Sequence, residues 1–388
     1  MENNITINNR IPQLRFPGYT GDWEEKSFDV ICHTITPPLK LQSSQYSSSG
    51  KFPIVDQSQT LICGWTNDSS GLLRNTPYII FGDHTCVLKY IDFPFIQGAD
   101  GVKILGSNKK DNSKFIYQLL LSNPVKQDGY KRHFSDLKEK IFLLPPTLEE
   151  QTKIAECLSS IDEIISVEES KVESLKAHKK GLMQQLFPQP GATTPALRFP
   201  GFTGEWQFVN GDKLFEPISN KKHNSDLPIL ALTQDQGAVP REMINYNVVV
   251  SDKSVAGYKV VEVDDFIISL RSFQGGIEYS RYKGLCSPAY IVLRKKDKTL
   301  SSDFYRIYFK SFNYIQNLNK NLEGIRDGKM ISYQQFSEIM LPLPTANEQI
   351  MIANCISSLD EVILLESQKL ESLKAHKKGL MQQLFPQL

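Results

Sequence analysis

The sequence lacks the cysteine spacings, long apolar runs and charge imbalance that define several specialised classes of protein. Its six cysteines form no Cys-x-x-Cys pair and no set at zinc spacing, which argues against a disulfide framework or a structural metal. No run approaches the roughly 20 apolar residues of a membrane span, and we expect no signal peptide. With 44 basic and 43 acidic residues the net charge is +1, unlike that of a histone-like protein. We therefore expect a cytoplasmic globular protein with reduced thiols and no membrane contact.

Motifs for nucleotide, cofactor and nucleophile chemistry are also missing. Residues 324–329, the nearest approach to a phosphate-binding loop, have the wrong spacing and are followed by Met330. The sequence has no Gly-x-Gly-x-x-Gly fingerprint, no Gly-x-Ser-x-Gly elbow and no His-Glu-x-x-His pair. We therefore expect a chain that binds rather than catalyses, with no catalytic, cofactor-binding or metal-binding residues of its own.

What the sequence does contain is an internal duplication in two parts. Residues 14–23 read LRFPGYTGDW, and residues 197–206 read LRFPGFTGEW. Residues 150–189 and 348–387 align without a gap, with 29 identities in 40 positions and the shared ending ESLKAHKKGLMQQLFPQ. Two segments that do not resemble each other, 24–146 and 207–344, lie between these repeats. This order predicts a pseudo-two-fold arrangement in which the chain termini lie close together.

Each copy of the longer repeat has the periodicity of a long helix. Apolar residues recur in alternating steps of four and three, as in a coiled-coil seam, and a run of about 33 residues gives a rod of roughly 50 Å. Two such stripes favour antiparallel pairing of the copies, although packing of each helix on its own domain stays open. Glu168 and Lys179 interrupt the seam and either set the register or extend to solvent. The predicted pairing residues are Ile154, Leu158, Ile161, Ile165, Leu175, Leu182, Ile352, Ile356, Leu359, Ile363, Leu373 and Leu380.

The two dissimilar segments have the pattern of mixed domains rich in short strands. Their net charges are +2 over 14–146 and +3 over 197–344, against −3 and −1 for the two helical parts. We predict an α+β fold in which two mixed α/β domains, 1–146 and 191–344, are separated by a pair of long antiparallel coiled-coil helices, 147–190 and 345–388. Helices are predicted at 114–122 and 303–320, and strands at 78–81, 86–91, 102–105, 141–144, 248–250, 266–270 and 290–293.

Loops at the predicted strand ends mix basic, amide, hydroxyl and aromatic side chains. Arg reads guanine and Gln reads adenine through paired hydrogen bonds, while Lys, Ser and Thr suit phosphates. Ordinary solvated loop chemistry is an equally good interpretation of any one cluster. The candidate DNA-binding residues are Gln57, Ser58, Trp65, Thr66, Arg74, His84, Tyr130, Arg132 and His133 in the first segment, and Thr233, Gln234, Arg271, Ser272, Phe273, Gln274, Tyr279, Arg326 and Lys329 in the second.

Two dissimilar domains, each followed by a repeated long helix, resemble the specificity subunit of Type I restriction–modification systems. The turns that enter the helices, LPPTLEEQ at 144–151 and LPTANEQ at 343–349, are similar to those of that family, as is the LRFPG…W motif. Further pieces resemble its target-recognition domains: FGDHT at 81–85, GYKRHF at 129–134, SLRSFQGG at 269–276, SPAY at 287–290 and GIRDGK at 324–329.

The resemblance implies that each dissimilar segment reads one half of a bipartite site in double-stranded DNA, while the helices hold the two at a fixed separation. It further implies partners: two methyltransferase subunits carrying S-adenosylmethionine, and restriction subunits using ATP and Mg²⁺. The alternatives are a stand-alone DNA-binding regulator with two recognition domains and a helical scaffold that joins proteins. Co-purification with a methyltransferase separates the first alternative, and salt-dependent binding to duplex DNA excludes the second.

Overall fold

The computed structural model describes residues 10–99, 101–129, 131–224, 226–244, 255–270, 272–320 and 331–386. The chain divides into two compact units, which we call unit 1 (Met1–Ser170 with Gln368–Leu388) and unit 2 (Lys171–Ser367). This division differs from the four predicted parts because each long helix contributes residues to both units. Among the described residues, no helix combines the length and apolarity needed to cross a bilayer.

Unit 1 contains two four-stranded sheets and a two-stranded ladder within its described residues. The sheet orders are β2-β9-β6-β7 and β4-β3-β8-β5, and β1 pairs with β10. Its strands are β1 (Glu24–Ser27), β2 (Cys32–Ile35), β3 (Phe52–Val55), β4 (Gly64–Thr66), β5 (Leu72–Leu73), β6 (Tyr78–Gly82), β7 (Leu88–Ile91), β8 (Phe95–Gln97), β9 (Val102–Ser107) and β10 (Ile141–Leu144). Its helices are α1 (Phe28–Ile31), α2 (Ser113–Ser122), α3 (Phe134–Lys138) and the first part of α4 (Leu148–Leu186).

Unit 2 contains one four-stranded sheet and three two-stranded ladders within its described residues. The sheet order is β12-β19-β16-β17, and the ladders are β11-β20, β13-β14 and β15-β18. Its strands are β11 (Gln207–Asn210), β12 (Phe215–Ile218), β13 (Leu230–Thr233), β14 (Gly237–Pro240), β15 (Lys259–Val261), β16 (Phe266–Ile268), β17 (Glu278–Tyr279), β18 (Gly284–Cys286), β19 (Ile291–Lys295) and β20 (Met340–Leu343). Its helices are α5 (Gly211–Leu214), α6 (Ser272–Gly275), α7 (Ser302–Tyr308), α8 (Phe312–Lys320), α9 (Tyr333–Glu338) and the first part of α10 (Ala346–Leu384).

The two units share one framework although their sequences differ between the repeats. In each unit the first strand pairs antiparallel with the last one before the long helix, from Glu24↔Leu144 in unit 1 and from Gln207↔Leu343 in unit 2. The four-stranded sheets β2-β9-β6-β7 and β12-β19-β16-β17 follow the same antiparallel path. The predicted α+β class and the internal repeat are therefore confirmed.

Most predicted elements exist, with two exceptions. The strand predicted at 248–250 lies outside the described residues. The single helix predicted at 303–320 is wrong, because α7 ends at Tyr308 and α8 begins at Phe312. Ser311 separates them by accepting a hydrogen bond from the Tyr314 amide at 3.3 Å, which satisfies an amide at the start of the second helix.

The short LRFPG…W repeat anchors the beginning of one long helix and the end of the other within each unit. In unit 1, Arg15 donates to both carboxylate oxygens of Glu150 at 2.7 and 2.8 Å, and the Leu14 amide donates to the Gln383 carbonyl at 2.9 Å. The second bond places residues near the two chain ends together, as the order of the duplication predicts. Unit 2 repeats both contacts, through Arg198 with Glu348 and Leu197 with Gln185.

The long helices pair in antiparallel fashion within each unit, and the ion pairs between them join equivalent positions of the two repeats. In unit 1, Asp162 pairs with Lys377 at 2.6 Å, and Glu168 pairs with Lys369 at 2.7 Å. The partner's number falls as the α4 number rises, which is the signature of antiparallel helices. The equivalent pairs of unit 2 are Lys179–Asp360 and Lys171–Glu366.

The predicted seam is most deeply buried where it also enters the domain cores. Ile154 and Leu158 lie in the core of unit 1 with Leu384 and Phe385, while Leu380 packs against them. Ile352 and Ile356 lie equivalently in unit 2 with Leu186 and Phe187, while Leu182 packs against them. Both arrangements weighed from the sequence, helix pairing and packing on a domain, therefore occur together. The half-buried seam positions are Ile161, Ile165, Leu175, Leu359, Ile363 and Leu373.

The Arg15–Glu150 pair gives a testable prediction about stability. Glu150 is 1% exposed, so Arg15→Met leaves a buried carboxylate unpaired and is expected to cost about 3–5 kcal/mol in the free energy of unfolding. The double variant Arg15→Met/Glu150→Met is expected to recover most of this loss, because no buried charge remains. Urea unfolding measures both values. Arg10→Met, which breaks an exposed pair with Glu25, is the control and is expected to cost less than about 1 kcal/mol. Equal losses for Arg15→Met and Arg10→Met would contradict the prediction.

Candidate nucleic-acid interface

Three polar segments of unit 1 meet around Gln57 and His84. The His84 amide donates to Gln57 Oε1 at 3.2 Å, and Thr85 Oγ1 donates to the Gln57 carbonyl at 2.8 Å. His84 Nδ1 lies 3.1 Å from the Lys131 carbonyl, and Gln127 Nε2 donates to the His84 carbonyl at 3.1 Å. We call this group, formed by residues 56–60, 82–85, 127–129 and 131–132, loop cluster 1.

Loop cluster 1 offers side chains of the types that bind nucleic acid. Arg132 and Lys131 are exposed, whereas Gln57, Ser58 and His84 are half-buried. Lys131 Nζ forms an ion pair with Asp136 Oδ2 at 3.3 Å. An exposed guanidinium beside amide and imidazole groups can contact phosphates or base edges, so the predicted residues Gln57, Ser58, His84 and Arg132 are brought together here.

The remaining first-segment candidates lie elsewhere in unit 1. Trp65 and Thr66 are half-buried on β4, at the edge of the sheet β4-β3-β8-β5. The backbone of Trp65 pairs with that of Ser47, whose amide donates to the Trp65 carbonyl at 2.9 Å. Arg74 is exposed directly after β5. These three therefore belong to a different part of unit 1 from His84.

Two predicted DNA-binding residues are corrected by their burial. His133 is 0% exposed, and its Nδ1 lies 3.2 Å from the Asp136 carboxylate. Ser272 is 1% exposed, and its Oγ accepts from the Ser269 amide at 2.8 Å. Neither side chain has surface left for contact with DNA, so both residues stabilise loops rather than read bases. The neighbouring Arg132 is exposed.

In unit 2, the β13–β14 turn packs against the segment that carries Gln274. Gln234 and Gln274 are both exposed, and a side chain at Gly275 would meet Gln234 Nε2 within 2.7 Å. Thr233 Oγ1 donates to the Gly237 carbonyl at 3.1 Å and accepts from the Gln236 amide, which holds the turn. We call this group, residues 233–237 and 274–275, loop cluster 2.

Tyr279 flanks loop cluster 2 in a structural role. Its hydroxyl donates to Asp264 Oδ1 at 2.5 Å and its ring packs on Phe266. Burial and the Asp264 carboxylate raise the pKa of Tyr279. The candidates Tyr130, Arg271, Arg326 and Lys329 lie outside the described residues, and Phe273 lies in α6.

Two lysines behind the loop clusters were missed from the sequence. Lys89 Nζ donates to the carbonyls of Asp56 and Thr60, and Lys310 Nζ donates to the Gly275 carbonyl and to Glu278. Lys89 could have been found from its position, because it shares the strand face of Ile91 where an apolar residue is expected. Among the described residues, no group of three or more His, Cys, Asp or Glu side chains is placed to hold a metal ion.

Adjacent residues Arg132 and His133 allow the correction to be tested. Arg132→Ala is expected to change the free energy of unfolding by less than about 0.5 kcal/mol, because the side chain is exposed. His133→Ala is expected to cost about 2 kcal/mol, because it leaves a cavity and removes the contact with Asp136. In duplex DNA binding, only Arg132→Ala is expected to weaken the affinity of the folded protein. A DNA-binding defect in folded His133→Ala with full affinity in Arg132→Ala would reverse the assignment.

Known proteins share both the sequence pattern and the fold. The family model described as Type I restriction modification DNA specificity domain matches residues 20–177 and 204–375. The putative type I restriction enzyme MjaX specificity subunit of Methanocaldococcus jannaschii is 27% identical over 281 residues, 69% of this chain. The match spans 63% of that relative's length. The type I restriction enzyme MjaVIII specificity subunit of the same organism is 24% identical over 311 residues, 74% of this chain and 72% of the relative.

A solved structure extends the likeness to the fold. The crystal structure of the Type-I restriction-modification system S subunit from M. genitalium matches with a TM-score of 0.64 at 17% identity. The match covers 97% of this chain and 99% of that one, so the likeness in fold extends over nearly the full length of both. Because the family model covers both dissimilar segments in full and most of each long-helix repeat, the chain belongs to the family of Type I restriction–modification DNA specificity domains.

Proposed function

We propose that this chain is the DNA-recognition subunit of a Type I restriction–modification complex, in which each unit reads one half of a bipartite duplex site. The observation that carries the proposal is one strand framework that presents two different sets of polar loops. Loop cluster 1 offers Gln57, His84 and Arg132, whereas loop cluster 2 offers Gln234 and Gln274. A rigid framework with variable loops is the arrangement that supports selective binding.

The proposed mechanism has three physical steps. Exposed basic side chains and loop amides first hold phosphates, which gives weak and salt-sensitive binding to any duplex. Loop side chains then form base-specific bonds worth roughly 1–3 kcal/mol each. The paired helices α4 and α10 fix the separation of the two readers, so that two weak interactions act together as a strong one.

Exposed apolar residues on the long helices support a partner for the chemistry. In unit 1, Ile164 and Val167 are 51% and 69% exposed on α4. Their equivalents in the second repeat, Val362 and Leu365, are 42% and 58% exposed on α10 in unit 2. Apolar groups that face solvent together mark protein interfaces.

We therefore propose that each of these surfaces accepts one methyltransferase subunit. S-adenosylmethionine would bind to that subunit, and ATP and Mg²⁺ to restriction subunits that join the same complex. This division of labour agrees with a sequence that carries recognition loops and lacks cofactor motifs. The stand-alone regulator predicts no such partner, so the docking test below separates the two functions.

Selection of bound duplexes from a randomised library tests the reading function and the helical spacing together. The unchanged chain is expected to select two short motifs separated by a fixed, unspecified spacer. Seven residues inserted after Ser170 and seven after Ser367 keep the seam register. They lengthen each helix by about 10 Å and are expected to widen the spacer by about three base pairs.

An insertion in only one helix is the matched control, because it breaks the pairing register without lengthening the pair. It is expected to abolish selection of the two motifs together. An unchanged spacer in the doubly lengthened chain would reject the role of the helices in spacing. Selection of a single motif by the unchanged chain would reject bipartite reading.

The docking surfaces give a prediction about stoichiometry. Val167→Asp and Leu365→Asp each place a charge in one apolar surface, where burial against a partner would cost several kcal/mol. Each single variant is expected to co-purify with one methyltransferase subunit in place of two, and the double variant with none. Native mass spectrometry measures the stoichiometry. Val30→Asp alters an apolar residue on α1 that is 50% exposed and is expected to retain two. Two bound subunits in the double variant would exclude these surfaces.

A further inference from the structure

A lysine occupies the core-facing side of an edge strand in unit 1. Side chains alternate along β7, so Lys89 shares a face with Ile91, which is fully buried. Lys89 stands opposite Ile80 of β6, another core residue. Only 4% of Lys89 is exposed. Burial of an ammonium costs free energy unless oxygen atoms accept its hydrogen bonds. The partners of Lys89 therefore indicate what this lysine does.

Within the described residues, the hydrogen-bond and ion-pair partners of the Lys89 ammonium belong to one loop. Nζ donates to the Asp56 carbonyl at 2.7 Å and to the Thr60 carbonyl at 2.5 Å, and it lies 4.0 Å from Asp56 Oδ1. Two of the three ammonium hydrogens are thus donated to carbonyls, while the Asp56 carboxylate at 4.0 Å is an ion-pair partner beyond hydrogen-bond distance. Burial lowers the pKa of Lys89, while the Asp56 carboxylate opposes that shift.

The two anchored carbonyls enclose the tip of the loop. Gln57, Ser58 and Gln59 lie between Asp56 and Thr60, and Gln57 in turn holds the His84 amide. A single side chain therefore fixes both ends of the segment that contributes Gln57 to loop cluster 1. A loop that is ordered before binding loses less conformational entropy when it meets its ligand.

Loop cluster 2 has an anchor of the same kind. Lys310 Nζ donates to the Gly275 carbonyl at 2.8 Å and to Glu278 Oε1 at 2.6 Å. Gln274 precedes the anchored carbonyl directly. In both units a lysine donates to the backbone beside a candidate glutamine, from strand β7 to the loop of Gln57 in unit 1 and from the turn after α7 to the end of α6 in unit 2.

We propose that Lys89 is a positioning residue for base discrimination by unit 1. It holds residues 56–60 in the shape that presents Gln57 and Ser58 to the edges of bases in a duplex. This inference rests on the proposed function, and it adds a residue that touches no base yet controls how one half-site is read.

The experiment compares Lys89→Met with Lys114→Met in the full chain. Methionine keeps most of the lysine stem and removes the donors. Lys114 is an exposed lysine on α2 of the same unit, so both variants lose one positive charge. Each protein selects from a randomised duplex library, and sequencing gives the base preference at every position of both half-sites.

Lys89→Met is expected to lose about tenfold in base discrimination at one or more positions of the half-site read by unit 1. The other half-site is expected to keep its preferences. Lys114→Met is expected to keep the preferences of both. A purely structural role would lower the amount of active protein without changing the base preference of what remains folded.

Hydrogen exchange provides a second readout that is independent of DNA. Amides of Gln57–Gln59 are expected to exchange at least about tenfold faster in Lys89→Met, because the loop opens locally. Lys89→Gln, which can still donate to one carbonyl, is expected to show intermediate exchange rates and replaces the methionine variant if that variant does not fold.

Unchanged base preference or unchanged exchange in a folded variant would overturn the proposal. If the unchanged chain selects no bipartite motif, the proposed function fails instead.

Discussion

Burial of the phenylalanine that directly follows each long helix joins parts of the chain that are remote in sequence. In unit 1, Phe385 packs edge-on against Trp23, with ring centroids 6.2 Å apart, and its centroid lies 5.6 Å from that of Phe115. In unit 2, Phe187 lies 5.6 Å from Phe304 and 5.4 Å from Tyr308. Truncating such a ring typically costs about 3–5 kcal/mol, whereas the entropy of closing a loop grows only slowly with its length. Burial of the ring therefore outweighs the added entropy of closing a long loop. In each unit the buried ring comes from the end of the long helix that begins in the other unit.

The polar residues in the helix seam select one register for this closure. Glu168 is 5% exposed and meets Lys369, whose own side chain is 56% exposed and reaches the carboxylate from the edge of the seam. A shift of one heptad would place Val362 or His376 near Glu168 and leave the buried carboxylate without its cation. The apolar seam supplies attraction in several registers, and the charged positions remove all but one of them. Of the two seam positions left open by the sequence, Glu168 is thus assigned to setting the register, and Lys179, 29% exposed, pairs with Asp360 of the facing helix.

Periodicity and duplication predicted the parts of the molecule that depend on repeated local patterns. The long helices, their antiparallel pairing and strands such as β6 and β9 follow from apolar spacing that is visible in the chain. Burial within a loop has no such period. Arg132 and His133 are neighbours in a polar stretch, yet Arg132 is exposed and His133, the residue before α3, is enclosed. The break at Ser311 was also invisible, since a single serine can continue a helix or cap the next one.

The two lysine anchors allow one framework to carry different candidate reading residues. Lys89 and Lys310 bind backbone carbonyls, and every residue type presents the same carbonyl at a given position of a loop. Side chains such as Gln57 and Gln274 can therefore differ between loops without loss of the hydrogen bond that shapes the backbone. An anchor made to a side chain would tie loop shape to loop sequence, so that each change in base preference would also risk the fold. Here the backbone sets the shape of the loop and the side chains set its chemistry. This allows the two units to have similar strand frameworks and different polar loops.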